Sequence, residues 1–112
     1  MPIKTSVILC SYNEANYIKN TISELEKNIQ NLELVIVDDN STDDTKEIIN
    51  KLNHDNRIKI IFRKKSKGLA SAFLRGVVET TGDYIGWLDT NMGELAPRFK
   101  EMSDILSSNN DI

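Results

Sequence analysis

The chain has 112 residues, of which 39% are hydrophobic and 28% are charged, and its net charge is −3. This length suits one small globular domain, and the acidic balance argues against a nucleic-acid-binding surface, which is basic. No apolar run approaches the ~20 residues of a membrane-spanning helix. The single cysteine, Cys10, has no internal disulfide partner; it is expected to be a small buried residue in a reducing compartment.

Four apolar runs predict four β-strands, at residues 5–9, 34–37, 58–62 and 84–88. Apolar residues at helical spacing predict a helix after each strand, over residues 18–29, 41–52, 68–77 and 98–107. The second helix is expected to begin in the capping-box-like sequence from Ser41 to Asp44, and the third at Gly68. This alternation predicts an α/β fold with a mostly parallel sheet and helices on both faces, a three-layer α/β/α arrangement.

Carboxylates follow two of the predicted strands. Asp38 and Asp39 follow the second strand, and Asp89 follows the fourth. In open α/β sheets, ligands bind at the carboxyl ends of the strands, where acidic residues can hold a cation, a ribose or a base edge. Adjacent side chains at a strand end point to opposite sides, so one of Asp38 and Asp39 could accept hydrogen bonds from a base or ribose while the other caps the next helix or orients its neighbour. The local pattern leaves open that both only begin that helix.

Further oxygen donors surround Asp89. Asn91 lies two residues beyond it, and Glu94 three residues beyond Asn91. Carboxylate and amide oxygens can hold a hard divalent ion, and such an ion bridges a diphosphate. The alternative is a strand-end aspartate in an ordinary turn.

Two other loops are candidates for ligand contacts. A basic run from Arg63 to Lys67, with Lys64, Lys65 and Lys67, comes just before the third predicted helix, which Gly68 opens. The N-terminus of a helix favours anions, although a solvated charged loop explains the same residues. Tyr12 and Glu14 follow the first strand, where Tyr12 could stack on a base and Glu14 could bind a ribose or start the helix. The only histidine, His54, lies in a polar turn and is expected at the surface.

Together these segments resemble the N-terminal half of family-2 glycosyltransferases of the GT-A fold, in particular the polyprenyl-phosphate (dolichol-phosphate mannose or glucose) synthases. The matching segments occur in the family's order and spacing: SVILCSYNE at residues 6–14, LVIVDDNSTD at 34–43, KGLASA at 67–72 with Gly76, and TGDYIGWLD at 81–89. The nucleotide-diphospho-sugar transferase fold is therefore expected, in truncated form. Singly each segment is a weak signal, whereas the set is specific.

The resemblance implies an inverting, metal-assisted transfer of sugar from a UDP- or GDP-sugar to a polyprenyl phosphate or a cell-surface glycan, in cell-envelope biosynthesis. The residues that it implies in nucleotide binding are Ser11, Tyr12, Glu14, Asp38, Asp39, Lys67, Gly68 and Asp89. Among these, it gives Asp39 the edge of the base and Asp89 a catalytic role. A Mg²⁺ or Mn²⁺ ion would be held by Asp89 and Asn91, with Glu94 as a further candidate ligand.

The resemblance also implies that residues 1–112 are the nucleotide-sugar-binding part of a single longer domain, cut before the acceptor-binding half. The general base would then lie beyond residue 112, and the isolated chain is expected to bind nucleotide weakly and to transfer no sugar. A cytoplasmic location at the inner face of the membrane is expected, with membrane association through later segments. Apolar surface left uncovered would favour a homodimer.

Two departures from the family pattern affect these expectations. Asn91 stands where the family usually has a second aspartate, and residues 92–97 differ from the Gln-His-Pro-Pro or similar sequence common in the polyprenyl-phosphate branch. A non-catalytic nucleotide-binding module on the same fold is therefore an alternative. Less favoured are a sugar-phosphate nucleotidyltransferase, which would carry a Gly-rich loop after the first strand, and a receiver domain, whose Asp pair would lie there. A dinucleotide-binding domain would need Gly-x-Gly-x-x-Gly at that position.

Overall fold

The computed structural model describes residues 3–65 and 68–108. The candidate Lys67 lies outside the described residues. The four strands are β1 (Thr5–Ser11), β2 (Leu32–Asp38), β3 (Ile58–Phe62) and β4 (Tyr84–Asp89). The helices are α1 (Ile18–Asn28), α2 (Thr45–Asn50), α3 (Leu69–Val77) and α4 (Ala96–Ser108), with a 3₁₀ turn (Gly93–Leu95) before α4. The predicted order of strands and helices is confirmed.

The four described strands form one sheet in the order β3-β2-β1-β4, and every neighbouring pair is parallel. The register pairs Ser11 with Asp38 and Cys10 with Asp89. The last residues of β1, β2 and β4 therefore lie side by side at one edge of the sheet. This placement brings the loops that follow these strands together.

Both faces of the sheet are covered, which confirms the three-layer arrangement. On one face, Val7 and Leu9 pack in a core with residues of α1, α2 and α4. On the other face, Ile8 and Cys10 pack against α3 through Ala72. The near-continuous apolar runs of β1 and β2 follow from this burial, because central parallel strands have no solvent-facing side.

Helix α3 lies unusually close to the sheet. A Cβ added at Gly76 would lie 2.6 Å from Ile8 Cγ2, so this position of the helix admits only a hydrogen as side chain. At the other end of the helix, Gly68 has a φ of 91°, a conformation that L side chains rarely adopt. Gly76 therefore allows α3 to pack close to the sheet, and Gly68 allows the chain to turn into α3 beside the carboxyl ends of the strands.

The second helix starts later than its sequence predicts. Ser41 was expected to begin the helix, but its backbone N–H and its hydroxyl both donate to the carboxylate of Asp38. Helix α2 begins only at Thr45, whose backbone N–H donates to Asp43 Oδ1 at 2.9 Å. The residues between β2 and α2 thus form a turn rather than a first helical turn. Helix α4, by contrast, begins earlier than predicted, at Ala96. Pro97 therefore lies in the first turn of this helix, where a missing N–H is tolerated.

Glu33 lies near the start of β2, at the end of the sheet opposite Asp38 and Asp89. Its side chain is buried, with the residue only 4% exposed. Its carboxylate accepts hydrogen bonds from Ser6 Oγ at 2.7 Å and from the backbone N–H and Oγ1 of Thr81 at 2.7 and 2.8 Å. Lys59 Nζ and Lys4 Nζ lie 3.2 and 3.5 Å from Glu33 Oε2. Burial by itself raises the pKa of Glu33, but the hydrogen bonds from Thr81, Ser6 and Lys59 outweigh it and hold the pKa at about 2.

No helix in the described part of the chain is both long and apolar enough to cross a membrane. Several apolar side chains stay exposed on β4 and α3, among them Ile85, Trp87 and Leu74. His54 is exposed, as its sequence context predicts.

Candidate functional site

A cavity of about 640 Å³ opens where β1, β2 and β4 end, beside the N-terminus of α3. We refer to it as the strand-end cavity. It is lined by Cys10, Ser11, Tyr12, Glu14, Asp39, Asn40, Thr42, Gly68, Leu69, Ala72, Asp89 and Asn91. Four separate segments of the sequence that were expected to meet a ligand therefore meet at one place.

The alternation of side chains explains why Cys10, Asp39 and Asp89 point to the same side. Cys10 and Asp89 are paired across β1 and β4. Val37 packs on the α3 face with Cys10, and Asp39 lies two residues beyond Val37, so alternation directs Asp39 to the same face. Burial raises the pKa of the Cys10 thiol, a hydrogen bond with Trp87 opposes this, and the charges of Asp89 and Asp39 raise the pKa further. Cys10 was expected only as a small buried residue; its pairing with Asp89 is what makes it part of the cavity floor.

The structure separates the two adjacent aspartates. Asp38 is fully buried, and its carboxylate accepts from the backbone N–H of Ser41 at 3.0 Å and from the Ser41 hydroxyl. The structure does not bring Asp38 to the cavity with the other predicted nucleotide contacts; its hydrogen bonds with Ser41 hold the turn after β2. Asp39 lines the cavity, and its Oδ1 accepts from Arg63 Nε at 2.9 Å.

The loop that carries Tyr12 and Glu14 is fixed to the turn after β2. The backbone N–H of Asn13 donates to Ser41 Oγ at 2.9 Å, and Asn13 Oδ1 accepts from the backbone N–H of Thr42 at 2.8 Å. The backbone N–H of Glu14 donates to Thr45 Oγ1 at 3.0 Å. Asn13, with a φ of 51°, thus makes the link that positions both neighbouring candidates, and local sequence patterns did not single it out.

Negative charge accumulates inside the cavity. Burial raises the pKa of Glu14, and the nearby charges of Asp89 and Asp43 raise it further. Asp89 also contributes to the raised pKa of Cys10. A cation bound beside Asp89 would relieve this repulsion.

Asp89 and Asn91 are the two oxygen donors that fit a divalent ion here. Both line the cavity, whereas Glu94 is exposed on the 3₁₀ turn and is not brought to it. Within residues 3–65 and 68–108, no group of three or more His, Cys, Asp or Glu side chains could hold a metal. A hard ion that takes one or two protein oxygens, with the other ligands from phosphate and water, is compatible with this donor set.

Ser11 lines the cavity at the end of β1, but strand alternation directs its side chain to the face opposite Cys10 and Asp89. Its hydroxyl oxygen is buried, and it has no hydrogen-bond partner among the described residues. Buried polar groups normally have a partner.

The thiol of Cys10 gives a direct probe of the cavity. Because its pKa is raised, we expect iodoacetamide to label Cys10 slowly at pH 7 and faster as the pH rises beyond the ordinary value of 9.0. A ligand bound in the cavity should slow the labelling further, which mass spectrometry would quantify at this single cysteine. Fast labelling at neutral pH that no nucleotide slows would contradict the placement of Cys10 on the cavity floor.

Residues 6–90 match the sequence model of the family described as glycosyl transferase family 2. The dolichol-phosphate mannosyltransferase of Pyrococcus furiosus is 33% identical over 112 residues, covering 98% of this chain and 32% of that protein. The chondroitin synthase of Pasteurella multocida is 41% identical over 87 residues, covering 77% of this chain and 9% of that protein. The chain therefore spans a third or less of the length of these relatives.

Solved structures share the fold. S. aureus TarS 1-349, in complex with UDP-GlcNAc, superposes with a TM-score of 0.79 at 23% identity, covering 96% of this chain and 32% of that one. The mannosyltransferase PcManGT from Pyrobaculum calidifontis, in complex with GDP-Man and Mn²⁺, gives a TM-score of 0.74 at 22% identity, covering 89% and 32%. These likenesses, with the parallel sheet, confirm the GT-A fold that the sequence predicts.

Proposed function

Because the chain belongs to glycosyl transferase family 2, we propose that its strand-end cavity binds the nucleoside diphosphate of a sugar donor, a UDP-sugar or a GDP-sugar. The observation that carries this proposal is that residues from separate segments of the sequence, predicted to bind a nucleotide, meet in one cavity. Six of the eight residues implied in nucleotide binding by sequence line one cavity: Ser11, Tyr12, Glu14, Asp39, Gly68 and Asp89. Structures with the same fold hold UDP-GlcNAc or GDP-Man, which supports a ligand of this class.

In this proposal the nucleoside lies between the ends of β1 and β2. Tyr12 is 54% exposed at the rim and offers a flat ring on which a base can stack. Asp39 offers carboxylate oxygens to N–H groups of the base, and Glu14 to ribose hydroxyls.

The diphosphate lies between Asp89 and the start of α3. Gly68 and Leu69 bring the N-terminus of this nine-residue helix to the cavity, and helix N-terminal N–H groups favour anions. Asp89 and Asn91 would hold a Mg²⁺ or Mn²⁺ ion, which when bound neutralises charge on the leaving diphosphate. The acidic lining of the cavity makes such a counter-charge necessary for a diphosphate to enter.

We further propose an inverting transfer, in which an acceptor oxygen bonds to the anomeric carbon as the bond to the diphosphate breaks. The acceptor is a polyprenyl phosphate or a glycan, at the cytoplasmic face of the membrane. The names of the mannosyltransferase and chondroitin synthase relatives support these two acceptor classes. A phosphate acceptor is already anionic and needs little help from a general base.

Calorimetric titration of the chain with UDP, GDP and ADP, with and without Mn²⁺, tests the proposal. We expect UDP or GDP to bind in the presence of Mn²⁺, to bind more weakly without it, and to bind more tightly than ADP. Binding of UDP or GDP that is indifferent to Mn²⁺ would favour the alternative, a nucleotide-binding module in which Asn91 has replaced a metal ligand. Absence of binding to both nucleotides would contradict the proposal.

A further inference from the structure

Arg63 lies immediately after β3 and is tied to the end of β2. Its backbone N–H donates to the carbonyl oxygen of Asp38 at 2.8 Å, and its side-chain Nε donates to Asp39 Oδ1 at 2.9 Å. Its Nη1 donates to Ser71 Oγ at 2.8 Å, and Nη2 lies 3.5 Å from the carbonyl oxygen of Gly68. Arg63 therefore connects the base-facing aspartate to the first turn of α3.

This arginine differs from the rest of the basic run in which the sequence places it. The side chains of Arg63 and Asp39 are only 11% and 14% exposed, whereas Lys64 and Lys65 are exposed. The desolvation of a largely buried ion pair offsets much of its Coulomb attraction, so stability alone is a weak reason for such a pair. The guanidinium of Arg63 is, however, itself held by Ser71 and Gly68, so its Nε–H offers one oxygen of the Asp39 carboxylate a donor in a fixed place.

We propose that Arg63 is a positioning residue that holds the Asp39 carboxylate in one orientation and so sets which bases the strand-end cavity accepts. This inference rests on the proposed nucleotide function. A carboxylate only accepts hydrogen bonds. Uracil and guanine carry a ring N–H beside a carbonyl, whereas adenine and cytosine present a ring nitrogen acceptor at the corresponding edge. A fixed Asp39 therefore favours the first pair of bases.

Loss of Arg63 would change selectivity more than general affinity. An Asp39 carboxylate that can rotate can also accept from the exocyclic amino groups of adenine and cytosine, so discrimination falls. Arg63 also touches Ser71 and approaches Gly68, at the helix start assigned to the diphosphate. The Arg63 side chain thus contacts both Asp39, assigned to the base, and the helix start assigned to the diphosphate.

The test measures the dissociation constants of UDP, GDP, ADP and CDP for the chain with Mn²⁺, together with circular dichroism of each variant. Wild type is expected to bind the better of UDP and GDP about tenfold or more tightly than ADP and CDP. We expect Arg63→Ala to bring this ratio close to one and Arg63→Lys to restore part of it. Lys64→Ala, which changes the adjacent exposed lysine, should leave the ratio unchanged.

The outcomes separate this inference from the function on which it rests. A wild type that binds none of the nucleotides overturns both, and one that binds all four equally overturns the inference alone. An unchanged ratio, or an equal loss of affinity for all four nucleotides in folded Arg63→Ala, also overturns the inference alone. If Arg63→Ala does not fold, Ser71→Ala decides, because it removes one anchor of the guanidinium: a reduced ratio supports the inference and an unchanged ratio overturns it.

Discussion

Replacement of Asp89 by alanine is expected to weaken nucleotide binding in the presence of Mn²⁺ by about a hundredfold, since a bound metal contributes several kcal/mol of charge stabilisation. Asp89 is the only carboxylate of the proposed metal pair with Asn91, and both line the strand-end cavity. The fold should survive, because Asp89 repels Glu14 and removing it brings the raised pKa of Glu14 closer to its ordinary range. Calorimetry with UDP and GDP, with thermal unfolding beside it, measures both effects.

Two variants control this prediction. Glu94→Ala should leave binding unchanged, because Glu94 is exposed on the 3₁₀ turn and does not line the cavity. Asn91→Asp should tighten Mn²⁺ binding, because it replaces a neutral oxygen donor with a charged one. Nucleotide binding by Asp89→Ala that equals wild type in the presence of Mn²⁺ would show that the metal is not held at the end of β4.

Replacement of Glu33 by alanine is expected to lower the free energy of unfolding by about 3 kcal/mol, since it removes a buried carboxylate with several partners. The variant leaves Ser6 Oγ and the backbone N–H of Thr81 without their acceptor, and it leaves Lys4 and Lys59 without their counter-charge. Urea unfolding would measure the loss. Glu101→Ala, which changes an exposed glutamate of α4, is the matched control, with an expected change within about 0.5 kcal/mol.

Glu33 is also expected to make the free energy of unfolding depend on pH in the acid range. The pKa of Glu33 is about 2 in the folded chain and takes its ordinary value of 4.5 once unfolding exposes the side chain. Its contribution is therefore fully present above pH 4.5 and is lost as the pH falls from there to about 2. Glu33→Gln should lack this part of the pH dependence, a difference of about 3 kcal/mol at most. Unfolding curves of wild type and Glu33→Gln that stay parallel from pH 6 to 2 would contradict it.

Local patterns were sufficient to predict the strands and helices, because each strand of a sheet covered on both faces is a compact apolar run. The ends of the strands were less well predicted. Ser11 and Asp38 are polar, so the predicted strands stopped before them, although the ladder continues through this pair. The apolar pattern used to predict the strands reports side-chain polarity, whereas a strand is defined by its backbone hydrogen bonds.

Side-chain placement at the cavity was predicted in part. Local spacing could place Asp39 and Asp89 at the ends of strands, but it could not decide between Asp38 and Asp39 without knowing which face of β2 meets α3. Only the family resemblance gave Asp39 the edge of the base. Glu94 was considered a ligand because of its spacing, and the 3₁₀ turn directs it elsewhere. These outcomes depend on geometry that one-dimensional spacing does not contain.

The contacts of Arg63 and Glu33 could not be predicted at all. Arg63 reaches Asp39 across 24 positions, because β3 is placed beside β2 in the sheet. Glu33 reaches Thr81 across 48 positions, because β4 is placed on the far side of β1. Both pairings depend on strand order, and a basic loop or a glutamate in a strand gives no local sign of its partner.

The most direct test of the nucleotide site is a nuclear magnetic resonance titration of the ¹⁵N-labelled chain with UDP and GDP in Mg²⁺, followed by trace Mn²⁺. We expect the largest amide shifts at Tyr12, Glu14 and Asp39, and the strongest Mn²⁺ broadening at Asn91. Glu33, at the opposite edge of the sheet, should be unaffected and serves as the internal control. Shifts and broadening centred away from the strand-end cavity, or no shift with either nucleotide, would show that this cavity is not the nucleotide site.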